Sequence, residues 1–234
     1  MRLKNPLFKL KVKASKTSLE RFRRTARMAP AIAKRAESIK GPALSRATKI
    51  ANIVLERIPI DWGLCGGKER LFKRNSASAI LKKKPIGFLH CAERCNLALS
   101  LLNASGVRSW LAREMIFVTD EAGKQKWHFH DYVEFFANDE VHTLAFHALR
   151  PVIDTYAIFD GPMEKIRGNK NSYIFRGADS QQIGGVGSWR EYEAFGRKMR
   201  QNPKNEVAKN ERRMELLVAE GLIPREAYEQ ILFS

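Results

Sequence analysis

The spacing of apolar positions changes partway along the chain, from a helical period to the two-residue period of strands. Residues 1–16 alternate basic and apolar side chains (Leu7, Phe8, Leu10, Val12), the pattern of an extended arm or an edge strand. Thr17-Ser-Leu-Glu20 has the form of a capping box and opens a helix with Leu19, Phe22, Ala26 and Ala29 on one side. Pro30 interrupts it, because the ring removes an amide donor and clashes with the preceding turn; the pattern resumes weakly up to Gly41-Pro42. From Pro42 to about Arg57, Leu44, Ala47, Ala51, Val54 and Leu55 recur every three or four residues and predict a helix with one buried face. Residues 58–75, broken by Gly63, Gly66 and Gly67, read as loop. A further helix is predicted from about Leu89 to Ala104, with Ala92, Cys95, Leu99 and Leu102 in one stripe and Gly106 as its stop.

Strand-like segments then follow: Trp110–Val118, Lys126–Ala137, Val141–Phe146 after an Asn138-Asp139 turn, and Val152–Phe159. The stretch 160–187 is rich in Gly, Asn and Ser, with a brief strand at Ser172–Arg176. Ser188-Trp-Arg-Glu191 is a second capping box and begins a helical C-terminal region broken by Pro203 and by Gly221-Leu-Ile-Pro224. Helices followed by a block of strands predict an α+β fold rather than a doubly wound sheet.

A chain of 234 residues supports one well-buried core with room for a small appendage. No apolar run is long enough to span a bilayer, and the N-terminus lacks the continuous hydrophobic stretch of a secretory signal. Three cysteines are too few and too odd a number for a disulfide framework, so a reducing, cytoplasmic setting is expected. The net charge of +17 is lopsided: residues 1–50 hold fifteen Lys/Arg against two acidic residues. Such a region suits an anionic partner such as nucleic acid, through Lys9, Lys11, Lys13, Arg21, Arg24 and Arg27, or else solvates a helix face.

Cys91 stands where a helix begins, and there the unpaired amides and the helix dipole favour a thiolate, the form that attacks acyl groups. Cys95, one turn on, fits plain burial; Cys65 stays undecided. In Lys126-Trp-His-Phe-His-Asp-Tyr-Val-Glu134, alternation sets His128, His130, Tyr132 and Glu134 on one face of a strand, and a histidine there could take the thiol proton. A carboxylate would hold its ring, and spacing alone does not choose among Asp139, Asp154 and Asp160. His90, Cys91, Cys95, His128 and His130 lack zinc-ligand spacing, so neither a metal nor a cofactor is expected. Gly184-Gly-Val-Gly187 lacks the Lys-Ser/Thr of a phosphate loop, and Trp189, Tyr192 and Phe195 read as core or interface.

The run from Ser76 to Arg108, with Cys91 opening a helix that leaves through Leu101-Leu-Asn-Ala-Ser-Gly-Val107, resembles the core of the transglutaminase-like superfamily. His130-Asp-Tyr-Val-Glu134 resembles that family's His-x-Trp-x-Glu strand, with Tyr132 in the tryptophan's place. Val152-Ile-Asp-Thr155 resembles its Val-x-Asp-Pro-Thr element. Phe88-Leu-His-Cys91 departs from the family's Gly-x-Cys. The resemblance covers roughly residues 43–160 and implies a papain-like fold with Cys91 as nucleophile, His130 as base and Asp154 as orienting acid, with His128, Tyr132 and Glu134 in support. It implies acyl transfer from a protein or peptide substrate to water or an amine; the alternative is a non-catalytic module of the same build that binds an anionic partner. The expected organisation is a basic extension over 1–42, a core over 43–187 and a C-terminal helical region over 188–234 that resembles short oligomerisation hairpins.

Overall fold

The computed structural model describes residues 29–58, 77–82, 91–119, 121–123, 125–149, 153–167, 172–178, 182–183 and 189–234. The expected arm and first helix, with Lys9, Lys11, Lys13, Arg21, Arg24 and Arg27, lie outside the described residues, as do Cys65 and Gly184–Gly187. The helices are α1 (Pro30–Glu37), α2 (Ala43–Arg57), α3 (Ala77–Lys82), α4 (Cys91–Ala104), α5 (Met163–Arg167), α6 (Trp189–Gln201), α7 (Pro203–Ala219) and α8 (Arg225–Leu232). The strands are β1 (Ser109–Thr119), β2 (Gln125–Ala137), β3 (Glu140–Leu149), β4 (Ile153–Asp160) and β5 (Ser172–Gly177). They form one open antiparallel sheet in the order β4-β3-β2-β1-β5. The chain is therefore α+β, as its pattern predicts.

Local chemistry sets the boundaries. Pro30 starts α1, at a position where its missing amide would have no partner anyway, and the helix expected before it lies outside the described residues. Gly106, at φ 82°, ends α4 with the Val107 amide bonded back to the Leu102 carbonyl at 2.9 Å, a left-handed closure that a Cβ disfavours. The Asn103 side chain then fixes the step into β1 by accepting from the Ser109 amide (3.2 Å) and hydroxyl (3.0 Å). Asn138 and Asp139, at φ 52° and 62°, make the tight β2–β3 turn whose twist matches its strands.

The sheet is covered on both faces. On one, Leu111, Met115, Phe129, Val133, Phe135, Leu144, Phe146 and Phe175 meet apolar side chains of α1, α2, α4 and α6. On the other, Trp110 and Val141 pack with α7 and α8, and Ala112, Tyr132 and Ala145 pack with Met163 of α5. Ile32 and Ile39 join the first core, so the α1 segment packs with it. Phe195 of α6 meets Phe129 and Phe175 with ring centroids 5.4 and 5.6 Å apart, which makes it core as expected. Among the described residues no helix is long and apolar enough to cross a membrane.

Candidate functional site

Helix α4 runs along β2, which brings its first two turns over the middle of that strand. Cys91, half-buried, is its first residue. Cys95 is fully buried, and its thiol donates to the Asp131 carbonyl at 3.1 Å. Burial pushes that thiol well above its ordinary range and Asp131 adds to the effect, so Cys95 is inert packing.

An ion pair lies beneath this end of the helix. Arg113 of β1 donates from Nε and Nη2 to the two oxygens of Asp131, its direct partner on β2, at 2.6 and 2.8 Å. Both side chains are 1 % exposed, and the guanidinium sits 5.5 Å from the Phe129 ring centre. Burial alone would lower the arginine's affinity for its proton. Asp131 outweighs it, and with Cys91 and Cys95 within electrostatic reach Arg113 is held more firmly charged than usual.

His130 points the other way. A strand's two-residue alternation puts Phe129, Asp131 and Val133 under α4 and sends His130, Tyr132 and Glu134 to the opposite face. The His130 ring meets the Tyr132 ring edge-on, with centroids 4.6 Å apart. The Tyr132 hydroxyl donates to Glu114 Oε2 at 3.1 Å, and Glu114, fully buried, is the residue directly across from His130 on β1.

Further along that face Glu134 accepts four hydrogen bonds. Trp110 Nε1 and Arg176 Nε donate to Oε2, both at 2.6 Å. Arg176 Nη2 and the Met163 amide donate to Oε1 at 2.7 and 2.9 Å. Burial would raise the Glu134 carboxyl, but Arg176 and these donors outweigh it and hold the group below its usual range. Arg176 also pairs with Glu164 of α5, so the network fastens α5 and β5 to β2.

The structure thus brings together only part of the expected triad. Cys91 opens a helix and His130 lies on the neighbouring strand, but the two are carried to opposite sides of β2. The expected face of His130, Tyr132 and Glu134 is real; it is not the face that α4 covers. Asp154, on β4 opposite Ala148, is separated from His130 by the whole of β3. Two strand spacings put roughly 10 Å between the backbones. The carboxylate beside His130 is Glu114 instead, and sequence reasoning did not select it. Tyr132 and Glu134, expected in support of catalysis, are buried with structural partners. His128 occupies the strand position opposite Ile116, and its side chain lies outside the described residues. Among the described residues no group of three His, Cys, Asp or Glu side chains is arranged to hold a metal. Comparison with protein-family models, curated proteins and solved structures finds no match for this chain.

Proposed function

We propose that the chain is a non-catalytic binding module of transglutaminase-like build, and that its partner is nucleic acid met through the basic residues of 1–50. One observation carries the choice over a thiol hydrolase: β2 separates His130 from the helix that Cys91 begins, and the Arg113–Asp131 ion pair fills the place beneath that helix where a base would stand. A charge-paired guanidinium cannot accept the thiol proton. The lopsided charge then supplies the partner's chemistry, since fifteen cations against two acids in fifty residues attract a polyanion with little regard for sequence.

The experiment is fluorescence anisotropy of a labelled 20-base-pair DNA duplex with the full chain across a salt series. Binding should weaken steeply as salt rises, and deleting residues 2–16 should weaken it further, whereas Cys91→Ala and His130→Ala should leave it unchanged. A full chain that fails to bind at 20 mM salt defeats the proposal.

A second reading, acyl transfer at Cys91, is favoured by the half-buried thiol at the start of α4 with a guanidinium in electrostatic reach and by the Glu114 carboxylate beside His130. It requires that His130→Ala slow alkylation of Cys91, and equal rates in the two proteins would remove it.

A further inference from the structure

Residues 194–205 contain Arg197, Lys198, Arg200 and Lys204 and no acidic residue. They form the elbow at which α6 passes into α7, and all four side chains are exposed. Cations in the last turn of α6 are ordinary, because they complement the negative end of its dipole. That account does not extend to Lys204. It lies in the first turn of α7, at the positive end of that helix, where a cation is unfavourable. The acid in that turn, Glu206, is engaged by Lys209 at 2.6 Å. The elbow therefore gathers positive charge against local helix electrostatics.

Its position in the fold gives that charge a use. Phe195 and Met199 seat α6 on the face of the sheet that also carries α1, α2 and α4. The exposed cations Lys34 and Arg35 of α1, Lys40 of the connection and Lys49 of α2 belong to this same layer. Basic positions about 150 residues apart in the sequence, those of the α1–α2 segment and Lys198 of α6, thus share one layer, and Lys204 stands just beyond, where the chain enters the helix that packs on the other face.

We propose that the α6–α7 elbow is a second phosphate-backbone contact for nucleic acid, with Lys198 and Lys204 as its contacting groups. The inference rests on the nucleic-acid reading above. Its test is the anisotropy assay on the full chain carrying Lys198→Glu and Lys204→Glu, beside a charge-matched control, Lys165→Glu on α5 with Arg225→Glu on α8. The elbow variant should lower affinity by about tenfold or more at 100 mM salt and flatten the plot of log affinity against log salt by roughly two phosphate contacts. The control should change the slope by less than half as much. Equal losses in both variants would overturn the elbow as a site and leave the nucleic-acid reading standing, whereas no binding by the unmodified chain would overturn both.

Discussion

Replacing Glu134 by glutamine preserves its shape and disrupts a carboxylate that accepts four hydrogen bonds. The carboxylate is 0 % exposed and receives two donors on each oxygen. An amide has one accepting oxygen. Whichever way it turns, its NH2 faces two donors, either Trp110 with Arg176 or Arg176 with the Met163 amide. Arg176 also loses its fully buried counter-charge and keeps only Glu164, whose side chain is 33 % exposed. Breaking one partner of a buried pair costs about 3–5 kcal/mol. For a chain of this size each kcal/mol moves the melting midpoint by about 2–4 °C, so a fall of roughly 6–20 °C is expected. Urea unfolding followed by circular dichroism gives the same quantity. Arg176→Met in the Glu134→Gln background should cost much less than the sum of the two single changes, because it removes the stranded charge. Glu164→Gln should cost no more than about 1 kcal/mol, the range of exposed pairs. A loss below about 1 kcal/mol for Glu134→Gln would refute the assignment of this network as the clamp between β2, β5 and α5.

Because the folded Glu134 carboxyl titrates below its ordinary 4.5, its contribution is fully present above that value and is lost as pH falls beneath it. Stability measured from pH 7 down to 3 should therefore decline in that window for the parent and less steeply for Glu134→Gln. Cys95, sealed between α4 and β2, should alkylate with iodoacetamide at pH 8 at least about tenfold more slowly than half-buried Cys91, and both should react once guanidinium unfolds the chain; comparable native rates would mean that α4 is not seated on β2. Phe195→Ala removes both ring contacts of α6 and should cost about 3–5 kcal/mol by thermal melting, and an unchanged melt would mean that α6 does not dock on the sheet.

Much of this fold is legible from periodicity and turn chemistry. The alternation over Lys126–Ala137 lands on β2 within a residue, and Asn138-Asp139 turns where two small polar residues tolerate positive φ. Helices α3 and α5 escape such reading because six and five residues make too few turns to display a period. The site was harder for a different reason. Alternation tells which strand residues share a face, but which face a distant helix covers depends on packing between elements far apart in sequence. Hence the grouping of His130, Tyr132 and Glu134 is right and their relation to Cys91 is not. Asp154 stands apart from His130 because, in the order β2, β3, β4, a whole strand lies between them. The missed partners carry a usable signal: 114 and 130 are equidistant from the turn centred near residue 122, as are Arg113 and Asp131, whose opposite charges in adjoining strands already suggest a pair.

The outer edge of β5 is capped at Ile174 and Arg176 by one side chain. Asn210 of α7, buried at 8 % exposure, accepts from the Arg176 amide at 2.8 Å, and its Nδ2 donates to the Ile174 carbonyl at 3.4 Å. Its amide occupies the hydrogen-bonding positions a neighbouring strand would use. The sheet can therefore not be extended from that side by another copy of the chain or by an extended peptide unless α7 first lifts away. Strand-wise assembly at β5 must pass through loss of the helix that carries Asn210.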